Sequence, residues 1–298
     1  MKVADAHCDT LTKFNSNPFL THEAHWNQSK FNAVGGLFQI FAIFTLPELS
    51  GSEATSYAFK HIGVFNRYKD EQIKHIKTGS DFEDDKINIV LSLEGAAPIQ
   101  RDINNLYAFY NAGVRAMGLT WNHRNFLADG VDEEFGLTHF GKEVVLEMEK
   151  IGMIVDVSHL NVNGFNDVAT ITKLAFIASH SNARAITNHP RNLYDEQIIE
   201  IRNRGGFIGL NFYAPFLSDG LAEKNDLLRH TEHFLKLGCE DVLGFGADFD
   251  GIDQSPFADV MDYIEIYDLF KQELKLSEEQ LEKIFWKNLT NFFKRELR

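Results

Sequence analysis

The segment INIVLSLEG, residues 87–95, decides the fold class because it is a continuous apolar run that ends in glutamate and glycine. Such runs are typical of strands with two buried faces, as found in parallel sheets. Seven further runs of this kind occur along the chain. They are Lys2–Ala6, Gly36–Phe44, Arg115–Thr120, Met153–Val157, Phe176–Ser179, Phe207–Phe212 and Val242–Ala247.

Helical stretches alternate with these predicted strands, and this alternation predicts a parallel sheet. The predicted helices are Glu53–Ile76, Ile103–Asn111, Phe140–Lys150, Asn161–Thr172, Asp195–Arg204, Asp226–Leu237 and, at the end of the chain, Ser277–Arg298. Eight strand units within 298 residues favour a closed (β/α)8 TIM-type barrel. No GxGxxG motif follows the first strand, as an open dinucleotide-binding sheet would commonly have. We expect residues 1–298 to form one domain.

The composition restricts the classes of partner. The chain has 43 Asp and Glu against 29 Lys and Arg, a formal net charge of −14. An acidic surface repels phosphate backbones and anionic lipids, so we expect no nucleic-acid or membrane partner. The two cysteines, Cys8 and Cys239, form no CxxC motif, and no long apolar segment resembles a signal or membrane span. These features predict a cytoplasmic protein.

Candidate metal ligands stand at the carboxyl ends of predicted strands, where barrels of this type carry their active residues. His7 and Asp9 are two apart on an extended segment, so their side chains point the same way. His159 and His180 follow neighbouring strands and Glu94 lies between the two pairs in strand order, where its two oxygens allow it to bridge two ions. Nitrogen and carboxylate ligands suit zinc, and also manganese, iron or cobalt.

Each of these residues also has an ordinary structural interpretation. Asp9 alone is a good helix N-cap, and Glu94 with Gly95 is compatible with a simple strand-to-helix turn. A single histidine at a strand end is more often a hydrogen-bonded structural residue than a ligand. Their joint position at the same end of separate strands favours the metal site.

Seven segments together resemble the membrane dipeptidase (renal dipeptidase) family, the M19 zinc peptidases of the amidohydrolase superfamily. In chain order they are DAHCDT (5–10), LSLEGA (91–96), GVRAMGLTWNHRNFLADG (113–130), GMIVDVSHL (152–160), SHSNARAITNHPRNL (179–193), GLNFY (209–213) and GFGADFDGI (244–252). The resemblance implies a barrel with two zinc ions that hydrolyses dipeptides. It assigns His7, Asp9 and Glu94 to one zinc, and Glu94, His159 and His180 to the other.

The resemblance also implies roles near the substrate. Arg191 matches an arginine that binds the substrate carboxylate, Tyr213 matches a pocket tyrosine, and Asp248 matches the catalytic aspartate after the last strand. One departure concerns Trp121, which stands where better-known members have a substrate-contacting histidine. His123, two residues further on, points the same way if the chain stays extended and could then take over that role; the alternative, equally open, is an ordinary loop residue.

These assignments predict a metal-dependent dipeptidase in which a metal-bridging hydroxide attacks the amide bond. Asp248 would orient this hydroxide and pass its proton to the leaving amine, and the planar Arg191 guanidinium would bind the substrate carboxylate. Arg191 could instead cap carbonyls or pair with Asp195. Alternative functions are hydrolysis of a lactone, cyclic amide or phosphoester by the same kind of barrel, or a non-catalytic metal-bearing binding protein. The preferred dipeptide, its stereochemistry, the native metal and the oligomeric state, a homodimer included, stay open.

Overall fold

The computed structural model describes residues 1–14 and 17–298. Within this part of the chain, nine strands form one sheet in which every pairing is parallel. The strands are β1 (Val3–Cys8), β2 (Gly36–Phe44), β3 (Ile73–His75), β4 (Ile87–Glu94), β5 (Val114–Gly118), β6 (Ile154–Asp156), β7 (Ile177–Ala178), β8 (Phe207–Leu210) and β9 (Leu243–Phe245). The sheet order is β2-β1-β9-β8-β7-β6-β5-β4-β3, and β2 also pairs with β4, which leaves β3 outside the closed ring. This pairing closes an eight-stranded barrel and confirms the predicted fold class.

Helices surround the barrel and connect its strands. They are α1 (Thr10–Lys13), α2 (Gln28–Ala33), α3 (Gly51–Tyr68), α4 (Ile103–Ala112), α5 (His139–Ile151), α6 (Val162–Ile171), α7 (Asp195–Asn203), α8 (Ala214–Leu217), α9 (Lys224–Lys236), α10 (Tyr263–Gln272), α11 (Glu278–Glu282) and α12 (Asn288–Glu296). A π-helical turn, Lys283–Lys287, joins α11 to α12, so the predicted C-terminal helix is present with an irregular turn inside it. None of the helices in the described residues is both long and apolar enough to span a membrane.

The predicted helix Glu53–Ile76 is wrong at its C-terminal end. Helix α3 ends at Tyr68, and Ile73–His75 forms strand β3 against Ile87–Ile89 of β4. Strand β5 pairs with β4 only from Leu91 onward, so the edge of β4 before that residue is free to accept another strand. The backbone hydrogen bonds of this edge are made by β3, and the need to satisfy them outweighs the local helical pattern.

Helix α12 closes the amino-terminal end of the barrel. Its Phe292 and Phe293 are buried in one apolar cluster with Ala4, Phe38 and Phe207, which lie at or near the first residues of their strands. The Phe293 ring packs edge-on against Phe38 with ring centroids 5.2 Å apart. The opposite, carboxyl-terminal end therefore remains for the polar residues that follow the strands.

Candidate active site

The end of β1 carries the first pair of candidate ligands. His7 lies within the strand, and Asp9 follows it at the N-cap position of α1. Asp9 makes no capping hydrogen bond, and its Oδ1 is buried without a partner. Asp9 Oδ2 instead lies 3.4 Å from His7 Nε2. The N-cap interpretation of Asp9 thus explains its backbone position but not its side chain, which turns toward His7.

A buried carboxylate, Asp5, holds this end of β1 in place. Its two oxygens accept hydrogen bonds from the backbone N–H groups of His7 at 2.8 Å and Ala247 at 3.1 Å. The side chains of Gln39 and Tyr263 donate to the same carboxylate. Because Ala247 follows β9, these bonds tie the first strand to the last at the carboxyl end of the barrel.

Glu94, the last residue of β4, lies between His7 on one side and the pair His159 and His180 on the other. Its Oε2 is 3.3 Å from His7 Nε2, and its Oε1 is 3.0 Å from His159 Nε2. His180 Nε2 lies 3.9 Å from the same Oε1 and 2.9 Å from His159 Nε2. The two oxygens of one carboxylate therefore face different sets of imidazole nitrogens.

These contacts fit bound cations better than a set of direct hydrogen bonds. The candidate sets whose ligand atoms lie within 4.8 Å of one another are His7–Asp9–Glu94, Glu94–His159–His180 and His7–Asp156–His180. His7 Nε2 is buried without a hydrogen-bond partner, as is Asp9 Oδ1. Across residues 1–14 and 17–298, no lysine or arginine forms an ion pair with Asp9 or Glu94. Buried carboxylates this close to one another are costly, so this donor set calls for metal ions.

Asp156 belongs to one of these sets, but its oxygens already accept hydrogen bonds. Oδ1 accepts from the backbone N–H groups of Ser158 and Ser179, both at 3.0 Å, and Oδ2 accepts from the Ser179 hydroxyl at 2.5 Å. The Ser179 oxygen lies 2.7 Å from His180 Nδ1. Since the hydroxyl donates to Asp156, it accepts from His180 Nδ1–H. This arrangement leaves the lone pair of His180 on Nε2, the nitrogen that faces Glu94.

A second polar contact orients His159 in the same way. His159 Nδ1 lies 2.8 Å from the side-chain oxygen of Asn122, in the loop after β5. A carbonyl oxygen can only accept, so Nδ1 carries the proton and Nε2 faces Glu94 with its lone pair. Both histidines are therefore in the tautomer that suits coordination through Nε2.

Burial and neighbouring charges together shift the pKa values of His159, His180 and Glu94. Burial, reinforced by the charge of Arg191, lowers the pKa of His159 to about 3. Burial and the neighbouring His7 and Arg191 also hold the pKa of His180 well below its ordinary value. For Glu94, burial alone would raise the pKa, but the nearby His7 and His159 outweigh it and lower it. At neutral pH His159 and His180 are therefore neutral and Glu94 is ionised, the states in which metal ligands act. His7 differs, because the carboxylates of Glu94 and Asp9 outweigh burial and hold its pKa well above the ordinary value.

Asp248 reaches the cluster from the loop after β9. Its Oδ1 is 3.8 Å from His7 Nε2, and its Oδ2 accepts a 3.0 Å hydrogen bond from the Asn211 amide. Burial raises the pKa of the Asp248 carboxyl. The backbone of Asp248 is left-handed, with φ of 65°, a costly conformation that is common at functional sites. A Cβ at Gly251 would lie 2.2 Å from Asp9 Oδ2 and 2.5 Å from Asp248 Oδ1, so a larger residue there would displace these two carboxylates.

Arg191 is a buried cation without a carboxylate partner among the described residues. Only 4% of it is exposed; Nη2 lies 3.5 Å from the His180 carbonyl, and Nε and Nη1 have no hydrogen-bond partner. The predicted alternative partner, Asp195, instead pairs with His233 at 2.7 Å. Burial lowers the pKa of Arg191 to about 10, so it stays charged at neutral pH. Two of its nitrogens are thus free to bind an anion.

One cavity of about 670 Å³ connects these groups to solvent. The predicted site residues that line it are Asp9, Glu94, His159, Arg191, Tyr213 and Asp248. Tyr213 packs edge-on against Phe216, with ring centroids 5.0 Å apart. His7 and His180 are not part of this lining, so the other ligands separate them from the open cavity.

The structure does not bring His123 to the cluster. The backbone bends at residues 121–123 instead of staying extended, and the Trp121 and His123 rings lie edge-on with their centroids 5.6 Å apart. Trp121 and Asn122 line the cavity, whereas the His123 side chain is 60% exposed and lies 3.5 Å from Asp132. The extended path on which the expected role of His123 depended is therefore absent at residues 121–123. Two other residues of this loop contact the candidate ligand His159: Asn122 by a hydrogen bond, and Trp121 with ring centroids 6.2 Å apart.

Sequence reasoning gave no role to Asp156, Ser179, Asn122 or Asn211. Asp156 and Ser179 stand close before the two histidines, in DVSH and SH, so their spacing was a usable signal for hydrogen bonds to the ligands. Asn122 and Asn211 had no such signal, because a single asparagine in a loop is common. Their contacts depend on how neighbouring loops meet in space.

The closed parallel barrel, with buried imidazoles and carboxylates at the carboxyl ends of its strands, defines a metal-dependent hydrolase with an amidohydrolase-like fold. The model of the membrane dipeptidase family, peptidase family M19, matches residues 1–297. The chain belongs to this family. The match confirms the family and the class of enzyme that the motifs predict, a metallo-dipeptidase.

Three relatives illustrate the similarity. A dipeptidase and metallopeptidase of family M19 superposes with a TM-score of 0.92 at 28% identity, covering 100% of this chain and 99% of that one. A Rhodobacter sphaeroides metallopeptidase, solved with a phosphinate mimic of the dipeptide L-Ala-D-Ala, has a TM-score of 0.92 at 26% identity, covering 99% of each chain. An uncharacterized dipeptidase of Schizosaccharomyces pombe is 31% identical over 221 residues, 70% of this chain and 53% of that protein. The aligned segment thus spans about half the length of the yeast relative.

Proposed function

We propose that this protein hydrolyses dipeptides at a centre of two divalent cations, with zinc favoured by the mixed nitrogen and carboxylate donors. His7, Asp9 and Glu94 hold one ion, and Glu94, His159 and His180 hold the other. The position of Glu94 carries the proposal, since its two oxygens face His7 on one side and His159 on the other. With one oxygen directed to each side, a single carboxylate could hold both ions.

When bound, the two ions lower the pKa of a water molecule and polarise the scissile carbonyl. The protein supplies the proton transfers. The Asp248 carboxylate, held by the Asn211 amide, lies beside His7 and lines the cavity. It accepts the proton of the attacking water and delivers it to the nitrogen of the leaving amine.

Arg191 binds the other end of the substrate. Either unpartnered nitrogen, Nε or Nη1, can form two parallel hydrogen bonds with a carboxylate together with Nη2, whose contact to the His180 carbonyl is long at 3.5 Å; this contact orients the C-terminal residue of a dipeptide. The R. sphaeroides relative supports this choice, because its ligand imitates a dipeptide. A neutral lactone or cyclic amide has no carboxylate with which to make this two-point contact.

We also propose that residues 1–298 act as one domain. Strand β1 pairs with β9, so the two ends of the barrel sequence meet in a single closed sheet. Helix α12 packs against β1, β8 and β9 and adds the C-terminal segment to the same unit.

A mutant cycle with the substrate tests this function. The protein is first saturated with Zn²⁺, and we expect about two ions per chain by elemental analysis. Arg191→Lys keeps the charge but loses the planar contact, so kcat/KM for a free dipeptide should fall roughly 10- to 100-fold. A dipeptide with an amidated C-terminus should be a poor substrate for the parent enzyme and nearly indifferent to the substitution.

The two losses should therefore not add. Additive losses would show that Arg191 acts through structure. Equal cleavage of free and amidated dipeptides by the parent enzyme would replace the dipeptidase with a broader amidohydrolase. A saturated content of one ion per chain, unaffected by Glu94→Gln, would exclude the binuclear centre.

A further inference from the structure

Three carboxylates lie at the mouth of the catalytic cavity. Glu48, Asp132 and Asp253 line the same cavity as Arg191, and they are its acidic residues outside the buried cluster. Asp132 is half-exposed and lies 3.5 Å from the exposed His123. Glu48 and Asp253 are exposed, and neither forms an ion pair with any residue of 1–14 or 17–298. We call these three residues the acidic mouth.

The strand order places the acidic mouth away from Arg191. Arg191 follows β7, and counting around the closed barrel in either direction, β2 is the fourth strand from β7. Glu48 follows β2 and thus comes from the opposite side of the barrel. Asp132 and Asp253 follow β5 and β9, which are each two strands from β7. If the unpartnered, buried Arg191 binds the substrate carboxylate, the N-terminal residue lies toward the far side of the cavity, from which Glu48 comes, with Asp132 and Asp253 to either side of it.

We propose that the acidic mouth selects dipeptides whose N-terminal residue has a cationic side chain, lysine or arginine. This inference rests on the proposed dipeptidase function and adds its substrate class. The α-ammonium group cannot be the group that the mouth recognises. It lies about 2.5 Å from the scissile carbonyl carbon by covalent geometry and must stay beside the buried cluster. A lysine ammonium extends roughly 6 Å from its Cα and can reach the exposed carboxylates.

The cavity wall fits the stem of such a side chain. Phe44, Trp121 and Ile252 line the cavity together with the acidic mouth. The Trp121 ring packs edge-on against Phe44 with ring centroids 5.4 Å apart, which gives a firm apolar surface. Long cationic side chains place their methylene groups on apolar surface while the charged end stays in water. Apolar walls below exposed carboxylates match that division.

The experiment compares kcat/KM for three dipeptides: Lys-Ala, its uncharged counterpart norleucine-Ala, and Ala-Lys. Exposed ion pairs are individually weak, but a cleft concentrates their field, so we expect Lys-Ala to exceed norleucine-Ala by about 10-fold at low salt. The triple variant Glu48→Gln/Asp132→Asn/Asp253→Asn should bring this ratio to about 1–2, and raising NaCl from about 0.05 to 0.5 M should reduce it in the parent protein.

A matched control separates the acidic mouth from the general negative charge of −14. Glu71→Gln/Asp85→Asn/Glu273→Gln removes three exposed charges outside the cavity lining and should leave the ratio as it is. Equal kcat/KM for Lys-Ala and norleucine-Ala, or a ratio that the mouth variant and the control change alike, would overturn the inference while leaving the dipeptidase intact. A preference for Ala-Lys over Lys-Ala would overturn the orientation. Failure to cleave any of the three would instead contradict the proposed function.

Discussion

The two ends of the barrel differ in the polarity of their buried side chains. At the amino-terminal end, Phe292 and Phe293 of α12 are buried in an apolar cluster with Phe38. At the carboxyl-terminal end, Asp9 and Glu94 are also buried, but their carboxylates face His7 rather than an apolar core. The same closed sheet thus buries apolar side chains at one end and ionisable side chains at the other.

This difference shows where the molecule is stabilised and where it is prepared for chemistry. Apolar burial at the amino-terminal end favours folding directly. The carboxyl-terminal end contains buried polar atoms without partners, among them His7 Nε2, Asp9 Oδ1 and two nitrogens of Arg191. Such atoms cost stability until an ion or a substrate satisfies them. Variants of the two ends should therefore affect different properties of the protein.

The largest effect on stability should come from the apolar end. Phe293→Ala removes a fully buried ring and should lower the free energy of unfolding by about 3–5 kcal/mol in urea titrations. The saturated metal content of the folded variant should be unchanged, because Phe293 lies at the far end of the barrel. Leu146→Ala, at a position that is 51% exposed on α5, is the control and should cost little. A loss of metal content in folded Phe293→Ala would mean that the two ends are not independent.

Asp248→Asn should have the opposite signature. It removes the proposed proton acceptor while keeping the size of the side chain, so kcat should fall by about 100-fold or more. Metal content and the midpoint of thermal unfolding should stay close to those of the parent protein, and both are measured beside the kinetics. Near-normal turnover in a fully metal-loaded variant would exclude Asp248 as the proton acceptor.

The sequence predicted the closed sheet well, for a physical reason. Buried strands such as Ile87–Glu94 have continuous apolar sequences, and this signal lies within the residues of the strand itself. The strand Ile73–His75 escaped prediction because its formation depends on a free edge of β4, which is set by where β5 begins. No local pattern contains that information.

The same division applies to the site. His7 and Glu94 could be selected from sequence because each stands at the end of a recognisable strand, and strand ends of a barrel converge. The orientation of His123 could not be predicted, since it depended on an extended loop that is bent in the structure. The contact of Asn122 with His159 likewise arises between two loops that are far apart in sequence.

The smallest of the expected effects concerns the hydrogen bonds behind the ligands. Ser179→Ala removes the acceptor of His180 Nδ1–H and the donor to Asp156, so the imidazole is no longer held with its Nε2 lone pair toward Glu94. We expect the affinity for one of two Zn²⁺ ions to fall about 10- to 100-fold in competition with a chelator. The stoichiometry at saturating zinc should still reach two, with activity recovering in parallel.

Ser181→Ala provides the matched control for this substitution. Its hydroxyl is also buried, stands one residue after His180, and has no hydrogen-bond partner. It should therefore leave zinc affinity unchanged even if packing is slightly affected. A merely structural role of Ser179 would lower the unfolding temperature in Ser179→Ala without changing the zinc concentration at which activity is half-restored. Equal zinc affinities for the two variants would show that the tautomer of His180 is set without Ser179, and the contrast between the two ends of the barrel would then rest on the ligands alone.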